Sequence, residues 1–356
     1  MKNSFKSLKF IYYLAKFNPD NYPEVHIENI TYSGLNNEDI PLKKLTRKNK
    51  IDQTTVVMFP GASADAEEHP GMLFLGSIIC KLGFKVFIPR IPPLKKLKIN
   101  EDCFDWFSHS YNEIIKRDDI NKDKVISMAL SFGGALLLKA SFDSRISKNP
   151  PKSIMTFGTY SDIKTTLKFL CNGKIKLNSE EIFIKPHSWG LTVLFHNFLD
   201  KFNFDEINEY KDKIREIVAL RIEDKLDEVD NKIKELKSEK AQIFIQNIFD
   251  CKINEEVSNE IYRVLDQEKE FINVMSPKYW ADKIKTKVFI MHGSNDSMVT
   301  YTESITLNRY IDNSSLFVSY MYEHKEISTD RGLLFKLKEF YKMYSFFKSY
   351  FKYNEN

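Results

Sequence analysis

Val125-Ile126-Ser127-Met128-Ala129-Leu130-Ser131-Phe132-Gly133-Gly134-Ala135-Leu136-Leu137-Leu138-Lys139-Ala140 reads as a buried strand, a sharp turn and a helix, with Ser131 at the turn. Ala129 and Gly133 stand two places to either side, so the turn spells A-x-S-x-G, one methyl group from the G-x-S-x-G of a nucleophile elbow. Small residues have a physical reason there. A turn that lifts a serine hydroxyl off a strand end brings the flanking backbone close to its neighbours, where a larger Cβ substituent clashes. The plainer alternative makes Ser131 an ordinary helix N-cap, because serine is a favoured cap and strand-helix units occur in any α/β protein. The rest of the chain has to decide between the two.

With 356 residues, 42% of them apolar, the chain can bury a substantial core in one large domain or one domain carrying an insertion. Its 53 basic and 49 acidic residues leave a formal charge of +4, and Lys95-Lys96-Leu97-Lys98 reads as a short solvated loop. No nucleic-acid partner is expected from that balance. Cys80, Cys103, Cys171 and Cys251 are widely separated with no C-x-x-C pair, so neither a zinc site nor a disulfide framework is expected. Reduced thiols point to a cytoplasmic location. Residues 1–17 are basic and aromatic, but Lys6, Lys9 and Lys16 interrupt them and no small-residue cleavage site follows, which argues against a signal peptide. Phe5, Leu8, Ile11, Tyr12 and Ala15 recur at helical spacing, predicting an amphipathic helix within 1–21 that packs on the fold or touches a membrane surface. No apolar run is long enough to span a bilayer.

Strands and helices then alternate. A strand near Glu24–Tyr32 and a partner near Ile40–Thr46 flank the Gly34-Leu35-Asn36-Asn37 turn, and Thr54–Phe59 is a clear buried strand running into Pro60-Gly61-Ala62-Ser63-Ala64. A helix over Met72–Leu82, a strand over Phe84–Ile88, a helix over Phe104–Lys116 and a strand over Ser153–Phe157 follow the same rhythm. Such alternation predicts an α/β fold with a mostly parallel central sheet flanked by helices.

The rhythm breaks between Gly190 and Pro277, which enclose neither glycine nor proline. Ile207, Tyr210, Ile214, Ile217, Val218, Ile222, Leu226, Val229, Ile233 and Leu236 recur there at helical steps, and Asn203 with Glu206 is the expected capping box of a long helix. Alternation resumes with a strand over Lys287–Met291, then His292-Gly293-Ser294-Asn295-Asp296-Ser297-Met298-Val299, a helix over Thr302–Tyr310, a strand over Leu316–Tyr322 and an aromatic helix from Arg331 to about Phe351.

In the order of these signals the chain resembles the α/β-hydrolase superfamily: a loop after the third strand, the elbow after the fifth, the His292–Val299 segment, and His324 beyond the last strand. The resemblance implies Ser131 as nucleophile, Asp296 as the carboxylate that orients the base, and His324 as general base. Asp162, after the sixth strand, is the rival acid. Oxyanion donors would be the backbone N–H groups of Ala62 and Phe132, with Ser63 as a substitute; Pro60-Gly61 stands where many relatives have His-Gly. His292 is expected to shape its strand end, and His69, His187 and His196 to be structural or at the pocket rim. The core would comprise 22–160 and 284–356, with 161–283 a large helical cap over the site. Neither metal nor cofactor is implied.

From the superfamily comes an expected reaction, hydrolysis of a carboxylic ester through an acyl-serine. Leu167, Phe169, Leu170, Phe183, Trp189, Leu191, Val193, Leu194, Phe195, Phe198 and Leu199 supply apolar surface to pack the cap and line an acyl channel, pointing to a small lipid-like ester or thioester substrate. The same scaffold carries serine peptidases and acyltransferases, and a non-catalytic binding protein is the reading from another class. Membrane contact through 1–17 is compatible with each.

Overall fold

A computed structural model describes residues 2–16, 23–47, 54–177, 180–204, 207–320 and 332–355. Its centre is an eight-stranded sheet built from β1 (His26–Ser33), β2 (Asp39–Thr46), β3 (Thr55–Phe59), β4 (Lys85–Pro89), β5 (Val125–Leu130), β6 (Ser153–Phe157), β9 (Lys287–Gly293) and β10 (Ser314–Ser319). Between β6 and β9 the chain forms a separate hairpin, β7 (Lys174–Leu177) with β8 (Glu180–Phe183). The strand order is β1-β2-β4-β3-β5-β6-β9-β10. β2 runs antiparallel to both neighbours, and every pairing from β4 to β10 is parallel.

The hydrophobic runs of the central strands follow from burial on both faces. Successive side chains alternate sides. Val57 and Phe59 of β3 and Ala129 of β5 therefore join one core, with helices α4 (Asp102–Ile115) and α5 (Phe132–Ala140), where Phe59 stacks on Phe107 at 4.6 Å. Val56, Met58, Ile126 and Met128 join the other, beneath α1 (Lys2–Ala15), α2 (Pro70–Lys81) and α15 (Leu333–Glu355). Two short helices, α3 (Pro92–Lys95) and α6 (Ser144–Ser147), complete the helices before the insertion.

The segment between β6 and β9 builds its own apolar core from α7 (Ile163–Asn172), α8 (Trp189–Phe198), α9 (Lys211–Ile222), α10 (Leu226–Lys234), α11 (Glu239–Asp250), α12 (Glu255–Gln267) and α13 (Lys269–Met275), before α14 (Tyr301–Tyr310) returns to the sheet. Phe195 at its centre meets Phe202 at 4.8 Å and Phe244 at 5.6 Å. The expected long helix is instead two, broken at Asp224, whose φ of 58° lies in the left-handed region. Nor does Asn203 cap it: its amide donates to Glu260 and its side-chain oxygen accepts from Asn208, while Glu206 lies outside the described residues. The β7–β8 hairpin escaped the sequence reading because Lys174-Ile175-Lys176-Leu177 offers only two apolar residues to show alternation.

Both connections of the insertion are held at its base. The Lys278 ammonium pairs with Asp162 at 2.6 Å, the Lys278 amide donates to the Ser161 carbonyl, and Glu303 of α14 accepts from the Ser161 and Asp162 amides at 2.9 Å each. Among the described residues no helix is long and apolar enough to cross a membrane.

Candidate active site

Ser131 joins β5 to α5 at φ 50° and ψ −127°. A β-carbon makes that backbone costly, by about 1–3 kcal/mol, so surrounding contacts must impose it. They are close at hand. The Ser131 amide donates to the Phe157 carbonyl at 2.6 Å, and its carbonyl accepts from Gly134 N–H at 3.0 Å and from the Thr159 hydroxyl at 3.1 Å. A methyl group on Gly133 would collide with the Pro60 carbonyl oxygen, and one on Gly134 with Thr159 Oγ1, so both glycines after Phe132 are needed for the turn to seat. Ala129 is fully buried in the core and its methyl is accommodated. Among the described residues the Ser131 side chain makes no capping hydrogen bond; the hydroxyl faces a cavity.

Phe132 opens α5, so its N–H has no partner within the helix. The loop after β3 lies against the turn: a methyl built on Gly61 would meet Ser131 Cβ at 3.3 Å. That brings Ala62 to the cavity wall beside Ser131 and Phe132. The Ala62 carbonyl accepts from the Trp189 indole N–H at 3.4 Å, a link from the insertion that no local pattern announces. Ser63 is engaged in its own turn, its hydroxyl accepting from Asp65 N–H at 3.2 Å.

The two candidate acids have different surroundings. Asp162, only 3% exposed, uses Oδ1 to cap α7 through Lys164 N–H at 2.9 Å and Oδ2 to pair with Lys278. Asp296, with a side chain 28% exposed, is held by Met298 and Val299 N–H on Oδ1, both at 2.9 Å. Its Oδ2 points toward Gly158, between the elbow and β9, and lies 3.4 Å from His292 Nε2. His292 is buried with both ring nitrogens committed, Nε2 donating to the Val299 carbonyl at 2.8 Å and Nδ1 meeting the Ser304 hydroxyl at 2.7 Å. It buttresses the loop that carries Asp296.

His69 caps α2 by accepting from Gly71 N–H at 3.1 Å, and His196 meets the Lys96 carbonyl at 3.2 Å. His187 sits nearer the site: its amide donates to the Ser297 carbonyl at 2.8 Å, and its Nδ1 accepts from Trp189 N–H. His324 lies outside the described residues, as do Met321 and Tyr322 at the end of the expected last strand.

The cavity in front of Ser131 measures about 160 Å³ and is walled by Ala62, Phe132 and Val299 from the sheet side and by Leu170, Trp189, Val193, Phe198 and Phe271 from the insertion. Polar side chains in its wall are few. Besides Ser131 and the Trp189 indole they are Thr166, whose hydroxyl donates to the Asp162 carbonyl, Glu268, which pairs with Lys201 at 2.8 Å, and Tyr160, whose phenol donates to the Met275 carbonyl at 3.0 Å. Burial holds the Tyr160 phenol well above its ordinary pKa, so it stays neutral.

No family model matches the chain, and no curated protein does. Among solved structures it is similar to 2,6-dihydroxy-pseudo-oxynicotine hydrolase (12% identity, 83% of this chain, 61% of that one, TM-score 0.44). It is also similar to a putative dipeptidyl aminopeptidase IV from Bacteroides ovatus ATCC 8483 (11%, 95% and 37%, TM-score 0.49). An acetyl xylan esterase from Paenibacillus sp. R4 is similar at 11% identity over 95% of this chain and 93% of that one, TM-score 0.45. The chain thus spans less than two thirds of the hydrolase and about two fifths of the peptidase. With strands in the order β1-β2-β4-β3-β5-β6-β9-β10, β2 antiparallel, and a strained serine between β5 and α5, the chain has the α/β-hydrolase fold.

Proposed function

We propose that the chain is a serine hydrolase that cleaves esters of apolar acyl groups. The observation that carries this reading is a serine held at φ 50°, free of any capping bond among the described residues, in the wall of a cavity whose other polar side chains are already engaged. Ser131 Oγ attacks the acyl carbon as its proton passes to His324. The alkoxide leaves as an alcohol by taking that proton, and water then repeats the sequence on the acyl-serine to release the acid. Asp296 orients the imidazole through its less committed oxygen. Ala62 and Phe132 N–H groups stabilise the tetrahedral oxyanion.

A peptide chain fits this cavity poorly. Each buried peptide N–H or C=O needs a partner and costs about 1–3 kcal/mol without one, whereas a hydrocarbon chain needs none. Labelling with a fluorophosphonate probe, comparing wild type with Ser131→Ala, tests the nucleophile. A p-nitrophenyl ester series against peptide anilides then tests the substrate class. Ser131-dependent labelling with rising kcat/KM from acetyl to octanoyl supports the reading; equal or better peptide turnover transfers it to the peptidases, and absence of labelling in folded protein refutes the activated serine.

A further inference from the structure

The surface most at odds with an ordinary solvated exterior lies far from Ser131 in sequence, on α1 and α15. These helices pack against each other: Phe10 meets Phe347 at 4.4 Å, Lys6 pairs with Glu355, and Ser7, Phe10 and Ile11 are buried. On the opposite side of α1, Phe5 (67% exposed), Leu8 and Tyr12 stand in solvent at helical spacing. Leu337, Phe340 and Tyr341 (68% exposed) stand in solvent on the first turns of α15, ahead of the buried Met343, Phe346 and Phe347 that pack the helix on the fold. A pair of amphipathic helices normally turns such a stripe inward.

Charge selects the occupant. The two helices hold eight lysines against two glutamates, a formal +6 in a chain whose total is +4, so the remainder of the molecule is net negative. Both glutamates are engaged, Glu339 with Lys342 at 2.6 Å and Glu355 with Lys2 and Lys6. A two-fold dimer through this face would set +6 against +6, because such an interface presents the same patch from each subunit. An aromatic and leucine stripe flanked by lysines suits a bilayer interface, the rings entering at headgroup depth and the lysine stems reaching back to lipid phosphates.

We infer that the α1–α15 face docks the protein on a membrane surface containing anionic lipid. The location favours a lipid-facing role. Asn354 at the end of α15 bonds Ser153 at the start of β6, so α15 runs back along the sheet and its first turns, with Leu337 and Phe340, lie toward the edge where Ser131 sits. The inference is independent of the catalytic reading, since binding requires no turnover.

Co-sedimentation of the full chain with phosphatidylcholine vesicles, with and without phosphatidylserine, tests it. Partitioning at least tenfold stronger with phosphatidylserine, and weakened by salt, is the expected result. Combined Phe5→Ser, Leu8→Ser and Tyr12→Ser, and separately Lys9→Glu with Lys338→Glu, should each cut it roughly tenfold or more, with melting temperature by circular dichroism reporting on the fold. The lipid and salt dependence of the wild type decides the matter even if a variant misfolds. Folded wild type that ignores both vesicles, binds both equally, or forms a dimer that Leu8→Ser dissolves overturns the proposal.

Discussion

At the residue scale, the informative feature is the conflict between Ser131 and its own backbone. A serine serving only as a helix cap would take extended backbone and bond an N–H of the first turn, as Asp143 and Asn254 do here. Ser131 does neither. Glycine tolerates φ 50° freely, so Ser131→Gly should abolish probe labelling and raise unfolding free energy by about 1 kcal/mol over Ser131→Ala, as read from urea denaturation. The acids separate in the same way. Asp296→Asn should lower kcat/KM by roughly a thousandfold or more with little change in melting temperature. Asp162→Ala removes a cap and leaves Lys278 unpaired near the base of the insertion, and should cost about 2–4 kcal/mol of stability. The reverse pattern would make Asp162 the triad acid.

Among elements, the elbow is a contact between two strand ends as much as a turn. Gly133 sits against the Pro60 carbonyl, so Gly133→Ala should drive the β3 loop away from Ser131, destabilising the fold by about 3 kcal/mol or more and abolishing labelling of whatever protein remains folded. Trp189 ties the insertion to the same loop. Trp189→Phe keeps an aromatic ring but removes the N–H that meets the Ala62 carbonyl, and should lower kcat about three- to tenfold while changing unfolding free energy by only about 1 kcal/mol. An unchanged kcat would mean that the loop holds its donor without help from the insertion.

Across the whole molecule, the cavity in front of Ser131 lies where the insertion meets the sheet, and the proposed hydrolysis would take its acyl chain there. Val193 faces the cavity, and Val193→Trp should fill it, cutting kcat/KM for octanoyl esters more than tenfold while leaving acetyl esters nearly unaffected. A parallel loss for both chain lengths would place the acyl chain elsewhere. The two connections of the insertion are tied together through Asp162, Lys278 and Glu303.

The alternation of Thr54–Phe59, Val125–Leu130 and Lys287–Met291 with helical runs was legible in sequence because strands buried on both faces are near-continuous apolar runs, interrupted here only by small polar residues such as Thr55 and Ser127, and a parallel sheet requires helical crossovers. Ser131 and Asp296 could be singled out by the same logic, since a local motif marks each strand end. Other features had no local signal. The break at Asp224, the hairpin at Lys174–Phe183, the bond from Trp189 to Ala62 and the commitment of Asp162 to Lys278 each depend on partners remote in sequence. The exposed stripe of α1 belongs with them: sequence determined that Phe5, Leu8 and Tyr12 would share a helix, but only packing against α15 decided that Phe10 and Ile11 would be buried in their place. Periodicity sets which residues lie together on a face; which face meets a neighbour is decided by contacts made after the chain has folded.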